Sequence, residues 1–374
     1  MLSNTKIATN QAKSHIAEFE GLRGILCWWV VFSHILLFFG ITDEDLGSFK
    51  FILNASQAVN VFIIMSGFFI FSLLNSGREN YKQFITRRFL RIFPAYFVCL
   101  VFSILLTDIS VQALQNLPWK AEKNLIRLQI FQDSLDYFWQ HLIAHITMLH
   151  GVIPDSMLPS SSFTFIGQAW SISLEWQFYL VAPFLFYIVS KKNTWGIYLI
   201  LFSALLYLFA KVGSAFLFTQ IPFFLVGIIS FYIWKSPLSL PKKQKGLILV
   251  CSVILVTVFT GKPDLIVWTI VFLSALINRN SQENGIFSLV SKILNNKIIL
   301  YFGRISYSIY LIHMVVIYSL LYLMTQYFYN IDKGWYLLSI FVVSLPLITI
   351  AAHYLYNWIE KPFITLGKRI AANF

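Results

Sequence analysis

The sequence predicts an all-α integral membrane protein, a bundle of about ten transmembrane helices with both termini in the cytoplasm. Three observations carry that prediction. Of the 374 residues, 58% are hydrophobic and 12% charged, about half the charged share of an ordinary globular chain. Aromatic residues reach 18%, with 37 Phe among them, and a soluble core of this size could not hide so much apolar surface. Apolar runs near the twenty residues that one crossing needs recur along the whole chain. Disordered, fibrous and disulfide-scaffold classes are excluded by the same composition. The formal charge of +12 has the sign of a nucleic-acid binder, but the positive-inside bias of a membrane chain accounts for it, so no nucleic-acid partner is expected.

The first run, 22–40, follows mostly polar residues and lacks a small-residue cleavage site, so it is expected to stay as a helix. Further runs cover 56–75, 92–108, 170–190, 195–211, 216–234, 246–260, 264–279, 301–327 and 336–359, the 246–260 and 264–279 runs being short. An eleventh stretch, 134–150, holds His141, His145 and His150 and is only weakly apolar. Charge decides its place. If it does not cross, 21 of the 28 Lys and Arg residues fall on the cytoplasmic side; if it does, the Lys-rich 235–245 loop moves outside. The first arrangement makes 109–169 one long outer segment, and a loop of that length usually has structure of its own. A re-entrant or interfacial helix is therefore expected at 134–150. No repeat or low-complexity tract is visible, and residues 1–374 are expected to form a single membrane domain with no appended soluble domain.

Ionisable side chains at membrane depth are expensive and point to function. The sequence places few there: His34, Glu175, His313 and His353, with Arg23 and Arg304 at the edges. Arg23 and His34 are eleven residues apart. Eleven helical steps end about 20° past three full turns, so both project from one face, about 16.5 Å apart along the axis. A snorkelling Arg and an interhelical hydrogen bond from His would use the same positions. Glu175 lies about 7.5 Å in from Trp170, and His34 about 9 Å in from Gly40. The two could meet at one depth, where a carboxylate would orient the imidazole as a general base; a purely structural Glu175 is the alternative. Arg87, Arg88 and Arg91 crowd a cytoplasmic helix entrance and suit either anionic lipid headgroups or a phosphorylated ligand.

Nine steps from Arg304 place His313 on the opposite face of a continuous helix, so His313 is expected to support the site from elsewhere. His353 sits near an inner helix end, where packing is expected. His141 and His145 share a face, but no third ligand is evident nearby, and the three cysteines, Cys27, Cys99 and Cys251, lack ligand spacing. No metal is expected. A transporter or lipid flippase would also need a cavity and buried charge, but the inverted symmetry common in transporters is not visible.

The chain resembles the acyltransferase family 3 of membrane O-acyltransferases, which includes bacterial O-antigen O-acetylases. Glu20-Gly21-Leu22-Arg23-Gly24-Ile25 with His34 gives that family's Arg-x10-His pattern. Phe62-Ile63-Ile64-Met65-Ser66-Gly67-Phe68 and Arg87-Arg88-Phe89-Leu90-Arg91-Ile92-Phe93-Pro94-Ala95-Tyr96 follow in order. The later segments are Trp170-Ser171-Ile172-Ser173-Leu174-Glu175-Trp176, Gly303-Arg304-Ile305-Ser306-Tyr307-Ser308-Ile309-Tyr310-Leu311-Ile312-His313, and Glu360-Lys361-Pro362-Phe363. Two departures stand out: Asp is commoner at the position of Glu20, and a second acid often stands where this chain has Trp176. Many relatives also carry an extracytoplasmic hydrolase-like domain.

The resemblance implies transfer of an acyl group, most often acetyl, from cytoplasmic acyl-CoA to a hydroxyl of an extracytoplasmic or lipid-linked glycan. It implies acetyl-CoA as donor substrate with no permanently bound cofactor, and a place in a bacterial inner membrane among its lipids. His34 and Glu175 would be catalytic, with His34 acting as general base or carrying the acyl group itself. Arg23, Arg87, Arg88 and Arg91 would hold the donor's phosphates, and Trp170, Tyr310 and His313 would contact substrate.

Overall fold

The structure is a computed structural model that describes residues 16–190, 213, 215–235, 265–278, 285–328 and 331–374. Among these residues every regular element is helical. Seven helical stretches are long and apolar enough to cross a membrane: Ala17–Phe38, Asp43–Asn75, Tyr81–Leu105, Gly167–Ser190, Leu217–Lys235, Ser306–Tyr327 and Lys333–Ala371. The run expected at 264–279 forms the apolar helix Leu265–Asn278, at 14 residues shorter than a full crossing. The runs expected at 195–211 and 246–260, and the Lys-rich loop after 235, lie outside the described residues.

Helix α1 (Ala17–Phe38) runs through the middle and contributes to both hydrophobic clusters. Glu18 and Glu20 in its first turn complement the helix dipole. At its other end the Phe38 carbonyl, which no helical N–H can reach, accepts from Trp119 Nε1 (2.9 Å) and Asn124 Nδ2 (2.8 Å). After α2 (Asp43–Leu46), a 3-10 stretch at Gly47–Leu53 is tied to α1 by Ser33 Oγ donating to the Leu53 carbonyl (2.6 Å) and Trp29 Nε1 to that of Ile52 (3.1 Å).

Helix α3 (Ala55–Asn75) and α4 (Tyr81–Leu105) follow, α4 opening on an Asn80–Gln83 capping box. The chain then folds into a cap of three shorter helices, α5 (Thr107–Gln115), α6 (Glu122–Asp136) and α7 (Phe138–Ile146). None of the three has the length of a crossing. The helix expected at 134–150 is thus the nine-residue α7, with His141 and His145 buried while Trp139 and Ile143 are exposed.

Helix α8 (Trp170–Ser190), α9 (Leu217–Lys235) and α10 (Leu265–Asn278) come next. Helix α11 (Ile286–Leu294) packs against α10, and α12 (Lys297–Arg304), α13 (Ser306–Tyr327) and α14 (Lys333–Leu355) follow. A π turn at Tyr356–Glu360 then leads into α15 (Lys361–Ala371). The expected single run 301–327 is broken at Ile305 between α12 and α13, so step-counting from Arg304 to His313 does not hold. α12 lies against α1 instead.

Backbone contact through glycine sets the tightest crossings, as helices in lipid favour. A Cβ on Gly227 of α9 would stand 2.0 Å from the Ile64 carbonyl oxygen of α3, and one on Gly67 would stand 2.5 Å from that of Phe224. On α12, a Cβ at Gly303 would meet the Glu20 carbonyl oxygen at 2.0 Å. That approach brings Arg304 next to Glu20, with Nε and Oε1 3.9 Å apart.

Candidate active site

Two cavities meet inside the bundle. One, of about 490 Å³, lies toward the end carrying Arg23 and Arg304; the other, of about 1110 Å³, lies beneath the cap. Tyr310 of α13 and Val59 of α3 line both, and together mark the boundary. Tyr310 is fixed there. Its hydroxyl donates to the Gln168 carbonyl (2.7 Å) and lies 2.8 Å from Ser171 Oγ, while Gln168 Nε2 donates to the Leu311 carbonyl (2.9 Å).

The arginine-end cavity is lined by Arg23 of α1, Arg88 and Arg91 of α4, and Arg304, with Glu20, Glu175 and Glu360 facing them. Four cations against three carboxylates leave one positive charge. Glu175 accepts from the Tyr179 hydroxyl one turn along α8. Glu360, buried in the π turn, accepts from Ser308 Oγ (2.8 Å), and Tyr307 donates to the Ile92 carbonyl (2.8 Å). Arg88 Nε is buried with no hydrogen-bond partner, so the cavity holds unspent donor capacity.

Arg87 does not line this cavity. On the helix, position 91 lies between the other two, about 40° from 87 and about 60° from 88, so Arg87 and Arg88 point about 100° apart and the packing of neighbouring helices decides which of them reaches the cavity. Helix α15 packs on the Arg87 face, where a Cβ on Gly367 would lie 3.2 Å from Leu90 Cβ and 3.6 Å from Arg87 Cα. Arg87 is ion-paired with Glu79.

His34 opens on the cap-side cavity together with Trp170 and Tyr310. Its partner is His313, not Glu175: His34 Nδ1 lies 2.9 Å from His313 Nε2. The sequence expectation fails on depth. Counting from Trp170 assumed that α8 begins at the membrane edge, but Gln168 and Ala169 before it are already buried beneath the cap. Ser171 stands level with Tyr310. From that level Glu175 is four residues toward the arginine end and His313 three toward the cap, about 10.5 Å apart along the axes. Glu175 therefore belongs with the arginines.

The His34–His313 pair fixes a tautomer. His313 Nδ1 lies 2.8 Å from the Tyr310 carbonyl oxygen and 3.3 Å from that of Ile309. A carbonyl only accepts, so Nδ1 carries the proton, and in the neutral ring Nε2 must accept. His34 then donates from Nδ1, which leaves its Nε2 with a free lone pair. Among the described residues Nε2 of His34 has no hydrogen-bond partner. An imidazole held this way, opening on a cavity, has the arrangement of a general base.

A third histidine group clamps the start of α8. His150 Nε2 donates to the Ala169 carbonyl (3.1 Å), and Gly151 N donates to Ser173 Oγ (3.0 Å). The His145 and His150 rings stack with centroids 4.0 Å apart, and Tyr96 Oη lies 2.8 Å from His145 Nδ1. Thr164 Oγ1 lies within 3.2 Å of both His145 and His141. Burial pushes His145 down and His150 to about 4, and it lowers His141 as well. Among the described residues no group of three or more His, Cys, Asp or Glu is arranged to hold a metal.

Of the residues read from sequence, the structure gathers Arg23, Arg88, Arg91 and Glu175 on one side of Tyr310, with His34, His313 and Trp170 on the other. It brings Glu20, Arg304, Tyr307 and Glu360 of the segments that carry the family resemblance to the arginine side, together with Tyr179. Glu360, Tyr179 and Tyr307 all stand in or beside the segments that resemble the family, but the sequence alone assigns them no role, because their meeting depends on packing between helices.

Among the described residues the chain is a helical bundle with seven helices long and apolar enough to cross a membrane, enclosing two adjoining cavities, one lined by arginines and the other opening on His34, which defines the class of polytopic membrane proteins with ionisable groups gathered at membrane depth. A family profile described as "Acyltransferase domain" matches residues 16–353, and the chain belongs to that family. Proteins named "Putative O-acetyltransferase" from Staphylococcus aureus strains COL, MSSA476 and MRSA252 are each 22% identical over 405 aligned residues. The alignments cover 97% of this chain but 59% of each relative, so the chain spans about three-fifths of their length. No solved structure matches it.

Proposed function

We propose that this protein is a membrane O-acyltransferase that moves an acyl group, acetyl first among the candidates, from acyl-CoA to a saccharide hydroxyl across the boundary at Tyr310. The observation that carries this reading is the pair of cavities. One is lined by arginines and the other by a histidine with a free lone pair, and the two abut at Tyr310 and Val59. Membership of the acyltransferase family supports the reaction class.

In this reading the donor enters at the arginine end, which faces the cytoplasm of a bacterial inner membrane. Arg23, Arg88 and Arg91 hold its phosphates through charge-assisted hydrogen bonds. Glu175 and Glu360 keep those guanidinium groups in place. The pantetheine arm brings the thioester to Tyr310, and the acceptor hydroxyl comes from beneath the cap, past Trp170. His34 Nε2 takes the hydroxyl proton as the oxygen bonds to the acyl carbon. The C–S bond breaks, and the thiolate leaves with that proton from the imidazolium. His313 holds the His34 tautomer and acts as a positioning residue.

Membrane vesicles containing the protein, supplied with radiolabelled acetyl-CoA and the host's own glycans, test the reading against vesicles lacking it. Label entering the glycan fraction only when the protein is present supports it. An equal amount in both sets overturns it and returns weight to a transporter or flippase.

A further inference from the structure

Arg127 takes no part in the chemistry above, yet it faces the same cap-side cavity as His34. It stands on α6, with its guanidinium 4.0 Å from the centre of the Phe38 ring, and Nη1 donates to Asn124 Oδ1 (2.8 Å). A guanidinium has five N–H donors and keeps its charge at any physiological pH. Among the described residues no carboxylate lies within ion-pairing distance of it. Burial works against the charge, lowering the basicity of this group. Arg127 is half-buried: its guanidinium is covered on the Phe38 side and faces the cavity on the other, where its charge meets no carboxylate of the described residues and is available to an anionic ligand.

The rest of the lining has the same sign. Lys50, Lys120 and Lys123 stand with Arg127, against Asp43 and Glu122. Four cations less two carboxylates leave two positive charges in a cavity whose histidine is neutral in the pair described above. Two charges match a diphosphate diester, or two phosphodiesters, better than the single charge of a sugar carboxylate. The planar guanidinium also fits phosphoryl oxygens in bidentate fashion.

We propose that the cap-side cavity binds a phosphorylated saccharide acceptor, holding a phosphoryl oxyanion on Arg127 while a sugar hydroxyl faces His34. The phosphoryl group comes from a diphosphate-linked lipid carrier or from a phosphodiester within the glycan. The word acceptor rests on the acyl-transfer reading; the anion site does not.

The test uses the full chain purified in detergent, with no acyl donor present. Four probes are compared: farnesyl diphosphate, a glycerol-phosphate oligomer, and the uncharged controls farnesol and a neutral oligosaccharide. Arg127→Gln removes the charge, and Arg127→Met also keeps apolar contact with Phe38. Wild type should bind at least one phosphoryl probe, and both variants should weaken it about tenfold to a hundredfold, the range of charge-assisted hydrogen bonds, without changing the controls. Binding of farnesyl diphosphate alone identifies the lipid carrier, and binding of the oligomer alone identifies the glycan phosphodiester. Equal binding by wild type and both variants, or no phosphoryl binding by wild type, overturns the proposal.

Should both variants fail to fold, the exposed pair Lys120→Gln with Lys123→Gln takes their place. Unchanged phosphoryl binding in that double variant then counts against the site. Acetyl transfer that persists in Arg127→Gln would sink this inference and leave the acyl-transfer reading intact. Phosphoryl binding in a protein that transfers no acetyl would do the reverse.

Discussion

Acid should loosen the start of α8, because the histidines that clamp it are buried in the neutral form. His150 has no solvent exposure, donates from Nε2 to the Ala169 carbonyl, and has a buried Nδ1 with no partner. A second proton on Nδ1 would be an unpaired buried N–H on a cation. That desolvation, with smaller opposing help from the carbonyl, pushes His150 from 6.5 to about 4. The unfolded chain binds the proton first, so the clamp is at full strength above about pH 6.5. It weakens as pH falls and loses nothing further below about pH 4. The whole interval corresponds to about 3 kcal/mol, and at about pH 5 the opening constant should already have risen about thirtyfold. His145, stacked on His150 and pushed the same way, adds to the effect.

Hydrogen exchange of peptides spanning 138–173, corrected for the intrinsic pH dependence of exchange, reads this directly. Protection should fall between about pH 7 and pH 5 in wild type, and the fall should shrink in His150→Gln. Flat protection over that range, or an undiminished fall in His150→Gln, would refute the reasoning.

Other consequences can be checked on purified protein. Arg88→Gln and Arg91→Gln should each raise the KM for acyl-CoA about tenfold, the value of a lost charge-assisted hydrogen bond; Arg87→Gln, ion-paired with Glu79 off the cavity, should leave it nearly unchanged. His313→Ala should lower kcat about tenfold or more with little change in donor KM. His313→Gln, whose amide oxygen can still accept from His34 Nδ1, should recover part of that loss. Gly227→Ala forces a Cβ to within 2.0 Å of the Ile64 carbonyl and should cost about 1–3 kcal/mol, seen as a lower Tm. Gly167→Ala, with open space at its Cβ position, is the matched control.

The helical composition and the shared face of Arg23 and His34 were legible because both follow from local arithmetic, namely composition and a 3.6-residue repeat on one continuous helix. What failed was arithmetic across elements. Glu175 and His34 have similar counted depths, but the count began at Trp170, and only the cap shows that this residue is already inside the protein. The break at Ile305 has no Pro to announce it, so the 27-residue, mostly apolar run 301–327 read as one helix. Arg87, Arg88 and Arg91 looked equivalent as a cluster; their separation depends on α15, almost 280 residues later in sequence, covering one face of α4. His313 was found as a buried titratable group, yet its partner across 279 positions could not be read from either helix.

The central claim is that His34, with Nε2 bare and Nδ1 tied to His313, takes the acceptor proton. It is tested most directly by comparing wild type with His34→Ala and His34→Gln at equal membrane levels, using radiolabelled acetyl-CoA and counting label in glycan and protein. The account predicts a fall in glycan labelling of about a hundredfold to ten-thousandfold in both variants, with none building up on the wild-type protein. Glycan labelling by either variant at the wild-type rate would contradict it.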